Sequence, residues 1–409
     1  MSSPRRVALH SPLPPVASGI ADHTAELLPH LARHVGVDVF VAGCDPVDVA
    51  ITSPVRLRPI AEWRDPAVRA EYDLAIFHLG NHRLHEPIFE ALRLAPGVAV
   101  IHDAVLHHYY ADVTLGRRDG VGYLRELGYA YGDDGVRFAR AVVAGECEVP
   151  WYEYPMLRRP LEQALATVVH SEHARRVALA ESPAAQIWHI PLAVAAEPVA
   201  EDRAALRQQL GLPTDAFVVA CLGHITPAKR IGAVLRAFES FVRAHHDRMP
   251  TVLALVGEPP EWYNLREALD QMGCRDWVRV TGRASRPDFQ RWAVAADVVV
   301  NLRYPTAGET SSSVVRALLA GTAVVVSDVG WFRELPDTVV AKVPVDASET
   351  DALARQLERL AGDREWRRNL GRRAAIYAHQ VYDPAHAAEC YAELIGAVLA
   401  DLTRFGAPR

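Results

Sequence analysis

Of the 44 lysines and arginines in this chain only Lys229 and Lys342 are lysines, so a lysine at a strand end is worth inspecting first. Lys229 stands beside Arg230 at the end of Gly223-His-Ile-Thr-Pro-Ala-Lys-Arg, directly after the apolar run Val218–Leu222. A helix opening at this point presents free N–H groups and the positive end of its dipole. Two cations add a point charge and a planar fork, which together suit a diphosphate. A solvated, charged helix start has the same composition and is the competing reading. A second group follows the run Val298–Leu302: Gly308, Glu309, Thr310, Ser311, Ser312 and Ser313, leading into an apolar helix. The small polar residues form a capping sequence and a nest of backbone donors. A carboxylate there repels phosphate and accepts hydrogen bonds from sugar hydroxyls, so the two groups together point to a sugar joined to a nucleotide. Gly257 with Glu258, and Arg283 after Gly282, end two further strands; they are turn residues or contacts for the nucleoside.

The first half of the chain supplies histidines in place of lysines. His78 and His102 each close an apolar run, followed by Asn81 and His85 in one case and by Asp103, His107 and His108 in the other. Upstream, Ser11–His23 reads as a flexible loop before a helix over Thr24–His34; in it Gly19 permits close backbone approach, with Asp22 and His23 at its end. His102, Asp103, His107 and His108 have metal-ligating chemistry, but their spacing matches neither HExxH nor another zinc signature, so the expectation is no metal. Asp22, His23, His78, Asn81 and His85 are instead expected to line the acceptor side.

These residues need a frame that brings strand ends together. Arg6–His10, Val37–Ala42, Leu74–His78, Val98–His102 and Thr167–His170 read as strands alternating with helical stretches. A second series restarts with Val218–Leu222, Val252–Val256, Val278–Thr281, Val298–Leu302 and Val324–Ser327. Alternation of this kind is the mark of βαβ units around parallel sheets. The predicted layout is an α/β chain of two domains built of βαβ units, 1–194 and 195–383, followed by an amphipathic helix in 384–409. The length of 409 residues and a half-hydrophobic composition agree with two cores.

Net charge is −6, which supplies no basic stripe for a nucleic acid backbone. Five scattered cysteines without CxxC spacing argue against a disulfide framework and for a reducing cytoplasm. The N-terminus fails as a signal peptide, and no run approaches a membrane span, so stable membrane insertion is not expected.

Taken in order, Pro12–Leu28, Val100–Asp103, His170–Arg175, Gly223–Arg230, Gly257, Val278–Arg283 and Asp297–Asp328 resemble the family-4 retaining glycosyltransferases of the GT-B fold. The resemblance implies two Rossmann-like domains facing across a cleft, a last helix crossing back to the first domain, and a nucleotide-sugar donor held mainly by the second. It implies Lys229 on the diphosphate with Gly19 and the Thr310–Ser312 amides, and His102 with Gly308 and Glu309 at the donor sugar. It also implies same-face transfer without a metal and with no cofactor besides the NDP-sugar, UDP- or GDP-linked. His224 stands where many members carry arginine, with Arg230 as the expected compensation. In the family's Glu-x7-Glu motif Glu309 fits the first glutamate, but the second falls on Arg316 or Ala317, neither a carboxylate. The first helix carries few cations, which favours a soluble small-molecule or saccharide acceptor. A nucleotide-sugar epimerase or hydrolase, and a non-catalytic sugar-nucleotide binder, are the alternatives.

Overall fold

The computed structural model describes residues 5–49, 55–245, 247 and 249–404. The outermost residues of the expected limits, 1–4 and 405–409, lie outside the described residues. The chain divides into two compact units: Met1–Val194 with Ala307–Thr310 and Asp383–Arg409, and Ala195–Thr306 with Ser311–Tyr382.

The first unit is built on β1 (Arg6–Pro12), β2 (Gly36–Ala42), β3 (Arg56–Pro59), β4 (Leu74–Leu79), β5 (Val98–Ile101), β6 (Ala166–Val169) and β7 (Ile187–His189). All neighbours are parallel, in the order β3-β2-β1-β4-β5-β6-β7. Strands β4, β5 and β6 are buried at every position, which follows from helices covering both faces of a parallel sheet. One face carries Leu9, Ile76, Val100 and Val168. It is covered by the helix Gly19–Leu31 and by the final helix Pro384–Arg404, whose Tyr391, Leu394 and Ile395 are fully buried. The other face packs Phe40, Phe77 and Ile101 against Trp63, Tyr109 and Tyr110.

The second unit repeats the plan with β8 (Phe217–Leu222), β9 (Thr251–Val256), β10 (Val278–Gly282), β11 (Val298–Asn301), β12 (Ala323–Ser327) and β13 (Ala341–Val343). Its order is β10-β9-β8-β11-β12-β13, again wholly parallel. The helix Ile231–His245 buries Phe238 and Phe241 against Leu253, Leu255 and Leu357. Two parallel-sheet, Rossmann-like units are the architecture of the GT-B fold.

Strand order decides where ligands go. In the first sheet the direction of winding reverses between β1 and β4, and in the second between β8 and β11. Crevices at such reversals, outside the carboxyl ends of the strands, are the binding positions of open α/β sheets. The chemical residues named above lie at or after the carboxyl ends of β1, β4, β5, β8, β9, β10 or β11.

Several elements differ from expectation. The edge strands β3, β7 and β13 have four, three and three residues, too short to carry a period of their own. The first helix begins at Gly19, five residues earlier than Thr24, because Ser18 caps it by accepting from the Ile20 N–H at 3.2 Å. The connection Pro191–Pro213 contains a helix, Arg203–Gln209, capped by Asp202.

Candidate functional site

In the second unit, β8 is followed by Gly223 at φ 94° and then by the single turn Pro227–Lys229. The Lys229 ammonium donates to the Leu222 carbonyl at 2.7 Å. A Cβ on Gly223 would come within 2.6 Å of that Nζ, so glycine is needed both for its backbone angle and for the lysine's path. The ammonium is thereby held over the carboxyl end of β8, beside the winding reversal. Gly257, at the end of β9, lies so close to this turn that a Cβ would meet the Gly223 carbonyl oxygen. It is also bridged to Gly282 at the end of β10. Its residue type is explained by backbone approach. Glu258 and Arg283, beside these glycines, are both exposed, and the Glu258 carbonyl accepts from Ile225 N–H at 3.1 Å.

Arg230 departs from its expected role on the diphosphate. It takes a left-handed conformation at φ 55° and its guanidinium donates to both oxygens of Glu349, with the nearest contact at 2.7 Å. Glu349 is 3% exposed, so this carboxylate needs its partner, and the fork of Arg230 is spent on it. That bond raises the arginine's pKa above its ordinary value. Arg230 therefore anchors the lysine turn to the helix Glu349–Gly362.

After β11 the chain reaches the helix Ser312–Leu319. Ser311 caps it, accepting from the Val314 N–H at 3.4 Å, and Ser313 is fixed by Asn301 at 3.0 Å. Arg316 is buried on this helix, its guanidinium 3.5 Å from the Ala195 carbonyl and 3.8 Å from Glu197. Ala317 is also buried. The position of the family's second glutamate is thus an interior cation or an interior methyl group.

The short segment Ala307–Thr310 belongs to the first unit. The Ala307 carbonyl accepts from Val105 N–H at 2.9 Å, and the Thr310 hydroxyl donates to the His170 carbonyl at 3.2 Å. Gly308 is buried at φ 74°, where a Cβ would press on Ala104 at 2.5 Å. Glu309 is therefore delivered next to residues that follow His102 and to the end of β6.

There the first unit gathers its histidines. Ring centroids of His23, His102 and His170 are 4.7–5.3 Å apart, and His78 stacks on His102 at 5.2 Å. Nδ1 of His78 lies 2.9 Å from Nε2 of His102. Burial drives all four pKa values down, to about 4 for His23 and about 3 for His170, so these rings are neutral at neutral pH. His85, 2% exposed, bonds the His78 carbonyl through Nδ1 at 3.0 Å. His78 and His85 accordingly lie in the interior, and the expected acceptor face is not where they sit. Asp22 and Asn81 are half-buried and Gly19 is exposed. Asn81 is positioned by Asp103, which accepts its N–H at 2.9 Å, and it bonds His108 at 2.9 Å.

The group His102, Asp103, His107 and His108 does not converge. His107 turns to the Tyr123 hydroxyl at 2.7 Å and His108 stacks on Trp151. His170 is the residue that inspection of the sequence left without a role. Its signal was available: it follows β6 as His102 follows β5, and His78 stands near the end of β4.

Residues 202–376 match the family described as glycosyl transferases group 1. A D-inositol 3-phosphate glycosyltransferase of Streptomyces griseus is 32% identical over 215 residues, 49% of this chain and 43% of that protein. The chain thus spans less than half the length of that relative. The protein of the same name from Streptomyces scabiei aligns over 98% of this chain and 93% of its own length at 26% identity. Among solved structures, Anabaena Alr3699/HepE in complex with UDP and glucose superposes with a TM-score of 0.65, covering 96% of this chain and all of that one, at 17% identity. The fold is that of GT-B proteins. Residues 202–376 of the second unit, under half of the chain, are similar to the glycosyl transferases group 1.

Proposed function

We propose that this protein transfers a hexose-type sugar from a nucleoside diphosphate donor to a small soluble acceptor, with retention at the anomeric carbon and without a metal in the transfer step. The observation that carries the reading is the fixed ammonium of Lys229, held by the Leu222 carbonyl at the winding reversal of the second sheet. A UDP-linked donor is favoured over GDP by the likeness to HepE, a structure in complex with UDP and glucose. A polyol phosphate is a reasonable first acceptor to try, given the relatives' name.

In this reading the bond between the anomeric carbon and the diphosphate oxygen breaks while negative charge grows on the leaving group. Lys229 and the N–H groups of Thr310, Ser311 and Ser312 stabilise that charge, with Gly19 allowing the loop after β1 to approach. Glu309 and the neutral His102 orient the sugar through its hydroxyls, with Gly308 giving the chain the room to bring Glu309 there. The acceptor hydroxyl attacks the face the diphosphate leaves, and its proton passes to a phosphate oxygen. Gly257, Glu258 and Arg283 serve the nucleoside, while Asp22 and Asn81 serve the acceptor side; His23, buried like His78 and His85, does not line it. The ribose contact that a second motif glutamate would make is left to backbone groups near Arg283.

Thermal-shift measurement with UDP, GDP and ADP tests the donor assignment, with a clear stabilisation by UDP as the expected result. Mass spectrometry of UDP-sugar incubations with inositol phosphates and simple saccharides tests transfer. Release of free sugar in the absence of any acceptor would make the protein a hydrolase, and absence of any nucleotide effect would overturn the reading.

A further inference from the structure

Strand ends of the first sheet and the helix after β1 converge on one buried knot of imidazoles. Nδ1 of His23 lies 3.1 Å from the Ala193 carbonyl, and Nδ1 of His170 lies 2.8 Å from the Ile190 carbonyl. A carbonyl only accepts, so both Nδ1 atoms carry the proton and each Nε2 keeps a bare lone pair. Both Nε2 atoms are buried and make no hydrogen bond. His102 is tied through Nε2 to Nδ1 of His78 at 2.9 Å. When His102 is the donor in that bond, its Nδ1 offers a third lone pair. One ring nitrogen from each of His23, His102 and His170 lies within 4.8 Å of the others. Buried polar atoms without partners are rare in folded proteins, and two of them on rings of one three-histidine cluster call for an occupant.

We propose that His23, His102 and His170 form a three-nitrogen site for a borderline transition dication of the zinc, cobalt or nickel class. Neutral imidazoles select such cations, whereas magnesium and calcium require oxygen ligands. The carbonyl bonds of His23 and His170 and the His78 bond of His102 are the outer contacts that fix imidazole ligands in metal sites. Tetrahedral binding at about 2.05 Å sets ligand nitrogens roughly 3.4 Å apart, so the rings draw in by up to ~1.4 Å on loading. The fourth position is left to water. Because the proposed function gives His102 to the donor sugar, cation and sugar exclude each other at that ring; this clause rests on that reading, and the cation site itself does not.

The metal-free full chain is titrated with Co2+ and followed by visible absorption. One equivalent with the intense bands of four-coordinate cobalt, and without thiolate charge transfer from the cysteines, is expected. His23→Gln and His170→Gln, each keeping a polar side chain of similar size, weaken binding at least tenfold, while the exposed-site variant His82→Gln does not. Absence of saturable binding by the wild type, a thiolate spectrum, or equal binding by folded His23→Gln and His170→Gln overturns the site. In parallel, UDP binding is measured by calorimetry and turnover with and without Zn2+. Zinc is expected to suppress turnover reversibly under EDTA while leaving UDP bound, and turnover unaffected by bound zinc overturns the exclusion. Cobalt binding in a protein that binds no nucleotide would sink the proposed function and keep the site; nucleotide binding without cobalt binding does the reverse.

Discussion

The two sheets share a winding plan and a place for ligands, yet their strand ends carry different chemistry. In the first, β1, β4, β5 and β6 lead to imidazoles stripped of water and held neutral. In the second, β8 and β9 lead to glycines that clear a path for one ammonium, and β11 leads to a serine-capped helix. The imidazoles at the first sheet are kept neutral by burial, whereas the second sheet presents an ammonium. The difference shows that one winding plan can carry quite different chemistry at its strand ends.

That contrast breaks most visibly at Lys229. Lys229→Ala is expected to lower turnover by about 10²–10³-fold, the cost of removing one donor from a developing anion. Its melting temperature should stay near wild type, and Lys229→Arg should recover only part of the rate. Equal rates in steady-state assays would remove the lysine from the chemistry. Glu309→Gln comes next, with kcat reduced roughly ten- to hundredfold and nucleotide affinity unchanged, as the proposed function, which gives Glu309 to the sugar and not to the diphosphate, requires. A loss confined to KM for the nucleotide would place Glu309 elsewhere.

The neutral side is tested by acid. His10, His23 and His170 have folded pKa values of about 3, 4 and 3 against an ordinary 6.5, because burial disfavours their charged forms. Between those values the unfolded chain binds more protons than the folded one, so stability rises with pH through this window. It is complete above about pH 6.5 and is lost on acidification toward pH 4, by about 1.4 kcal/mol per pH unit for each such histidine. Denaturant melts at pH 7, 6, 5 and 4 measure the slope. His10 lies among Phe40, Trp63 and Phe77, so His10→Phe should flatten that slope by about one proton. An unchanged slope would mean that His10 does not contribute.

The smallest functional effect is expected at Arg230. Arg230→Ala leaves the buried Glu349 without its partner and should cost about 1–3 kcal/mol in stability. Nucleotide affinity should change less than threefold. A drop in affinity comparable to that of Lys229→Ala would return Arg230 to the phosphate.

Much of this architecture is legible in the chain because a strand covered on both faces must be apolar at nearly every position. Val218–Leu222 and Val98–Ile101 announce themselves in that way. The edge strands β3, β7 and β13 do not, being three or four residues long and held by one neighbour each. Lys229 is legible from its rarity and from the glycine before it. Arg230 looks equally cationic, and nothing nearby in sequence tells that its partner is Glu349, 119 residues away.

The histidines draw the same line more sharply. Residue type and position alone determined that imidazoles end several strands of the first half, since each of His78, His102 and His170 closes an apolar run. Which of them face one another was decided only when parallel pairing set β4, β5 and β6 side by side and the helix Gly19–Leu31 brought His23 across their ends. Sequence fixes chemistry one residue at a time. Proton affinity and convergence depend on burial and on neighbours tens of residues distant, and those exist only once the sheet has formed.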